Sequence, residues 1–128
     1  MNRNITLGLA LVAGAALGAA AVQTLHAQAK PQAFSVVEIT VTNQDGYNKD
    51  YIPPVTKAIQ DGGGKFIARG GKTFSYEGAP PAQRIVLLQW ENLDKLQAFQ
   101  NSPAYKSAQT IGQKYATFRI FGVEGVSP

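Results

Sequence analysis

The sequence predicts an α+β domain: a ferredoxin-like βαββαβ sandwich with a four-stranded antiparallel sheet, two copies of which form a dimeric α/β barrel. Three observations predict it. Strand-like and helix-like segments alternate in the split βαβ order of strand, helix, strand, strand, helix, strand. The two helical segments carry their apolar residues at helical spacing, so together they cover one sheet face. The segment Arg84–Trp90 is apolar on both parities at Ile85-Val86-Leu87-Leu88, and Phe118, Ile120 and Phe121 also occupy both. Strands without alternation are buried on both sides, and one chain of this length has nothing left for the second face. A second copy is the simplest cover. The alternative is a monomer with an open, ligand-binding sheet.

Residues 1–29 read as a secretory signal peptide. Arg3 and the amino terminus are positive, Ile5 to Val22 is uncharged and apolar, and Ala27-Gln28-Ala29 is a small-x-small cleavage site. The alternative is an uncleaved anchor, because the apolar run is about 18 residues, the threshold for spanning. Much of it is Ala and Gly, which insert weakly. Cleavage leaves Lys30–Pro128 as a single domain with no membrane span, in the periplasm of a bacterium or secreted from it.

In the mature domain, Phe34–Thr42 is β-branched, with Val37, Ile39 and Val41 alternating with Glu38, Thr40 and Thr42. Gln44-Asp45-Gly46 supplies a turn with Asp45 as N-cap. Tyr47, Tyr51, Val55 and Ile59 then form one helix face, in which Pro53-Pro54 forces a kink or two stacked pieces. Gly62-Gly63-Gly64 ends that helix. Lys65–Arg69 and Lys72–Tyr76 are short strands around Gly70-Gly71, and Glu77–Ala82 is a loop. After the strand Arg84–Trp90, Asn92 caps a helix bearing Leu93, Leu96 and Phe99. Ser102-Pro103 restarts it, with serine as N-cap and proline at the first helical position. Tyr105, Ala108, Ile111 and Tyr115 continue at helical spacing, and Thr117–Val123 is the last strand.

Composition excludes several chemistries. The chain has no cysteine, one histidine and one methionine. His26 and Met1 both lie in the leader, so the mature domain lacks all three types. Thiolate and Ser–His–Asp catalysis are excluded, as are histidine-ligated metals and His or Met ligation of haem. No metal and no cofactor is expected. Loss of Arg3 leaves 11 basic and 8 acidic residues, a net charge of +3 without like-charge blocks. Nucleic acid is therefore not an expected partner.

The glycine clusters do not form phosphate loops. Gly71-Lys72-Thr73 would need a glycine where Phe66 stands, and Gly62-x-Gly64 one where Ile67 stands. They read as a helix C-cap and a strand bend. Among the carboxylates, Glu91 pairs at i,i+4 with Lys95, and Asp94 sits at a helix N-terminus. Glu38 is opposite in parity to Val37 and Ile39, so it faces the sheet–sheet interface and needs a cation or donor there. Arg69, Arg84 and Arg119 are strand residues able to supply one. The outcome is either a structural ion pair or a site carboxylate with a raised pKa. Tyr51, Tyr105, Tyr115 and Trp90 are core aromatics or the walls of an aromatic-ligand pocket.

The run from Gly62 to Gly71 resembles the GG-x4-RGG signature of DUF1330, a family of domains of unknown function. Glu77-Gly78, Arg84 at the head of an apolar strand, Ser102-Pro103-Ala104-Tyr105 and Val123-Glu124-Gly125-Val126 extend the resemblance over about residues 34–126. The resemblance implies the dimeric α/β-barrel fold. By position, Tyr51, Arg69, Glu77, Arg84 and Tyr105 match recurrent family residues. Many members carry arginine where this chain has Gly112, and some at Gln109. Relatives by fold include cofactor-free monooxygenases, muconolactone isomerases and haem-degrading enzymes; the missing histidine argues against the last. Three readings follow, with no catalytic residue assigned. One is an exported homodimer whose pocket, lined by Glu38, Tyr51, Arg69, Trp90, Tyr105 and Arg119, binds a small aromatic or acidic molecule. The second is a cofactor-independent monooxygenase- or isomerase-like enzyme for a small aromatic or lactone compound, with Glu38 or a tyrosine handling protons. The third is a structural dimer without a ligand.

Overall fold

The structure is a computed structural model that describes residues 29–128. The signal peptide expected at 1–29 lies, Ala29 apart, outside the described residues. Pro31–Ser127 forms one unit. Its elements are β1 (Ala33–Val41), a helical turn (Gln44–Gly46), a π-helical turn (Tyr47–Tyr51), α1 (Ile52–Asp61), β2 (Lys65–Arg69), β3 (Arg84–Trp90), α2 (Leu93–Gln100), α3 (Pro103–Gly112) and β4 (Ala116–Glu124). The strands form one sheet in the order β2-β3-β1-β4, every neighbouring pair antiparallel. This is the expected ferredoxin-like arrangement.

Local chemistry sets the helix ends. Asn43, not Asp45, is the first N-cap: its backbone is extended, and its side chain accepts from the Gly46 N–H at 3.0 Å. Asp45 lies inside the turn, where it faces the positive end of the dipole. Pro53 and Pro54 fall in the first turn of α1, where an N–H would lack an intrahelical partner. The two helical pieces expected around them are a π-helical turn followed by an α-helix. At the far end, Gly64 N–H donates to Ile59 C=O and Gly63 N–H to Gln60 C=O, a Schellman closure. Asn92 and Ser102 cap α2 and α3 by accepting from Lys95 N–H and Tyr105 N–H. Tyr115 lies beyond the end of α3, its N–H donating to Gly112 C=O.

The register assigns the two faces of the sheet. Val37 pairs with Val86 and Ile120, and Ile39 with Arg84 and Phe118. That face meets the helices, and Ile39, Val86, Leu88, Trp90 and Ala116 are buried in a core with Tyr47, Tyr51, Val55, Ile59, Leu96, Phe99 and Tyr105. On the other face Val36 pairs with Leu87 and Phe121, and Glu38 with Ile85 and Arg119. Phe121 and Val123 are 43% and 51% exposed there.

Lys72–Tyr76 is not a strand. The β2–β3 ladder closes with Gly70 N–H donating to Ile85 C=O, and Gly70 then turns with φ +66°. The next residues have no neighbouring strand to pair with, and Phe74 and Tyr76 are 72% and 93% exposed. The segment is part of an exposed loop that returns at Gln83, whose Oε1 accepts from Val41 N–H at 2.9 Å.

Candidate functional site

A cavity lies between the helices and the inner face of the sheet. Its apolar wall includes Val37, Ile39, Val55, Ile59, Val86, Leu88, Phe99 and Ile120. Its polar lining residues are Ser35, Tyr47, Tyr51, Tyr105, Gln100, Arg69 and Arg84, and among the described residues no carboxylate lines it. Its volume is about 40 Å³, above the ~10–15 Å³ one water requires and below the ~150 Å³ of an apolar cavity that holds benzene.

A β-bulge brings Arg69 to this cavity. Phe66 pairs with Leu88, but the next register pair is Ala68 with Leu87, so Ile67 is an extra residue. Regular alternation would place Phe66 and Arg69 on opposite faces. With the bulge, Arg69 pairs with Val86 on the helix side, its guanidinium carbon 4.2 Å from the Phe66 ring centre. Its Nη2 donates to Thr56 Oγ1 at 2.8 Å. Arg84 reaches the same side by ordinary alternation with Val86, Leu88 and Trp90. Its guanidinium carbon is 5.9 Å from the Tyr47 ring centre, and its Nε is buried without a hydrogen-bond partner. Neither arginine makes an ion pair among the described residues.

The tyrosines come from the helical side. Tyr47 and Tyr51 stack at 5.2 Å between ring centres, and the Tyr51 hydroxyl donates to Gln109 Oε1 at 3.3 Å. Burial pushes the Tyr51 phenol well above its ordinary value, and neighbouring Tyr105 and Tyr47 add to the effect. Burial also raises Tyr105, opposed by a hydrogen bond with Gln100. Tyr47 is raised by burial too, but Arg84 and Arg69 pull against the rise. Near neutral pH the phenols are donors and the guanidiniums are cations, an arrangement that receives an anion.

The sheet separates the residues expected to share one pocket. Tyr51, Arg69 and Tyr105 line the cavity. Glu38 and Arg119 pair with each other at 2.5 Å on the opposite face, a salt bridge with Arg119 largely exposed. Alternation accounts for this: Arg119 lies between Phe118 and Ile120, both on the helix side. Trp90 is fully buried behind the cavity, packed on Phe99 at 4.6 Å, with its Nε1–H donating to Ser35 Oγ at 3.1 Å. Tyr115, the other aromatic considered for a pocket wall, instead donates to Asp50 at 2.7 Å. Two groups that matter here lie outside the pocket expected from sequence: Tyr47 reads as a core rung, and Arg84 as a strand cation able to serve Glu38 and a position that matches a recurrent family residue. The shared parity of Arg84 with Val86 and Leu88 was the available signal. Among the described residues no three His, Cys, Asp or Glu side chains cluster as a metal site requires, and no helix is long and apolar enough to cross a membrane.

The element order and the antiparallel sheet define a ferredoxin-like α+β fold. Residues 32–126 match the model of the family called Domain of unknown function (DUF1330), and the chain belongs to that family. No curated protein matches it. Among solved structures it is similar to RPA0582, a protein of unknown function from Rhodopseudomonas palustris, with a TM-score of 0.61 and 12% identity, covering 77% of this chain and 85% of that one. It is also similar to SnoaB, a cofactor-independent oxygenase from Streptomyces nogalater (TM-score 0.55, 12% identity, 77% of this chain and 96% of that one). A third neighbour is a conserved protein of unknown function from Bacteroides thetaiotaomicron, described as a possible oxidoreductase (TM-score 0.50, 18% identity, 75% and 99%). At these identities the likeness establishes the fold.

Proposed function

We propose that this protein is exported, assembles as a homodimer and binds a small acidic or aromatic molecule in the cavity between its sheet and helices. One observation carries the binding reading: two arginines and three tyrosines converge on an apolar cavity whose lining holds no carboxylate. Cations without a local counter-ion, set in an apolar wall, favour an anionic guest. The leader sequence supports export. The outer sheet face, with Val36, Leu87 and half-exposed Phe121, supports closure by a second copy.

Tyr47 favours a second reading, a cofactor-independent monooxygenase- or isomerase-like enzyme. It is the one cavity phenol whose ionisation two cations promote, and the fold is shared with a cofactor-independent oxygenase. Glu38, on the other side of the sheet, is not placed to handle protons in this cavity.

The test expresses the full-length gene in a bacterium, recovers the exported fraction and reads the N-terminus by mass spectrometry. Light scattering then counts subunits, and a thermal-shift screen with aromatic acids, lactones and flavins probes the cavity. A chain starting at Lys30, dimeric and stabilised by an acid is the expected result. An intact leader in the membrane fraction overturns export, a lone folded subunit overturns the dimer, and a dimer that no compound stabilises overturns the ligand.

A further inference from the structure

We infer that Arg84 anchors the carboxylate of a short-chain organic acid, whose apolar tail lies among Val37, Val86 and Leu88. This rests on the ligand reading above and narrows it to one chemical class. Arg84 carries the unmet demand: its Nε is buried without a partner. A buried donor on a charged group is costly to leave unpaired. Arg84 has a hydrogen bond with Tyr47, and its Nε is the donor left unmet; Arg69 has Thr56 as acceptor and no buried unpaired atom among the described residues.

The chain keeps Arg84 in place by omitting a side chain. A Cβ on Gly70 would lie 2.8 Å from the Arg84 guanidinium carbon, with Nη1 and Nη2 at 3.0 and 3.1 Å. The guanidinium thus lies against the bare backbone of the turn that ends β2. Its planar fork suits two carboxylate oxygens. The remaining wall is mostly hydrocarbon, which suits an alkyl tail and disfavours a small, fully hydrated anion such as phosphate. Volume then limits the tail. The cavity's roughly 40 Å³, against ~150 Å³ for a benzene-holding cavity, favours a short alkyl tail over an aromatic ring.

Calorimetry on the purified exported protein tests this with propionate, propionamide, benzoate and inorganic phosphate. Propionate is expected to bind at least about tenfold more tightly than its amide, because only the acid offers a charged acceptor. Arg84→Gln is expected to erase that preference, and Arg84→Lys to weaken it, since lysine has charge but no fork. Lys57→Gln, which removes an exposed cation paired with Asp61 outside the cavity lining, is expected to change propionate affinity less than about threefold. Equal binding of acid and amide, an acid preference that survives Arg84→Gln, or tighter binding of benzoate or phosphate than of propionate would each overturn the assignment. Should Arg84→Gln fail to fold, the acid–amide comparison on the wild type decides alone. If neither these probes nor any compound of the wider screen binds, the ligand reading itself falls. If the wider screen finds a ligand but propionate shows no preference over its amide, only the Arg84 assignment falls.

Discussion

The ring of Tyr51 lies directly against the backbone of Gly112. A Cβ at Gly112 would stand 2.5 Å from two Tyr51 ring carbons and 3.1 Å from Phe118. The space an arginine would need at this position is therefore taken by an aromatic ring that also lines the cavity. In an open helix, glycine to alanine gains about 1 kcal/mol. Here Gly112→Ala should instead destabilise by about 1–3 kcal/mol through overpacking. A urea midpoint that rises rather than falls would show that Tyr51 can move aside freely.

Trp90 and Ser35 form a buried polar pair inside the hydrophobic core. Trp90 is 1% exposed, and its indole N–H has Ser35 Oγ as acceptor. Ser35→Ala strands that donor and should cost about 1–3 kcal/mol. Trp90→Ala should cost about 3–5 kcal/mol, because the cavity it leaves adjoins Phe99 and Gly64. Trp90→Phe combined with Ser35→Ala removes both partners and should cost less than the sum of the two single changes. Denaturant titration of the four variants checks this, and strict additivity would mean that the pair is not coupled.

The order of elements was legible because their boundaries are written in local chemistry: Asn92, Ser102-Pro103 and the glycine triplet each end or begin a helix where expected. The faces of the sheet were harder to assign. Phe118, Ile120 and Phe121 are apolar on both parities, so alternation alone does not say which side of β4 holds the cavity, and Arg119 lies across the sheet from the residues expected to share its pocket. Arg69 is the opposite case. It reaches the cavity through the Ile67 bulge, which no residue type at that position announces. Lys72–Tyr76 has strand composition but no partner to pair with, and pairing is a property of the whole sheet. Helical spacing marks Tyr47 as a rung of the helix core, and it is that as well as part of the cavity wall.

Alkaline pH should loosen the fold through its tyrosines. Burial raises Tyr47, Tyr51 and Tyr105, while Tyr115 is raised chiefly by its hydrogen bond to Asp50. In the unfolded chain each would ionise near its ordinary value of about 10. The stability linked to these groups is therefore complete below about pH 10 and is lost as pH climbs above it, because the unfolded chain gives up protons first. The urea midpoint should hold steady up to about pH 9 and fall beyond about pH 10. Tyr51→Phe should make that fall shallower. A slope unchanged in this variant would mean that Tyr51 ionises in the folded protein as readily as in the unfolded one.

Deleting a residue from a strand ordinarily turns every side chain on one side of the cut to the wrong face. Ile67 should be the exception in this sheet. Phe66 pairs with Leu88 and Ala68 with Leu87, so removing Ile67 leaves Phe66, Ala68 and Arg69 opposite Leu88, Leu87 and Val86 in an unbroken ladder. Phe66 and Arg69 would still face the helices. What is lost is the extra twist of the bulge and the partial burial of a side chain that is 47% exposed. A loss on the order of 1 kcal/mol follows from that area. Deletion of Val36 from the central strand β1 has no such escape: it breaks the register with β3 and β4 together and should abolish folding. Circular dichroism melts of the two deletions against the wild type separate the cases. Unfolding of the Ile67 deletion would show that the bulge itself, through the twist it gives β2, is required to hold Arg69 over Phe66.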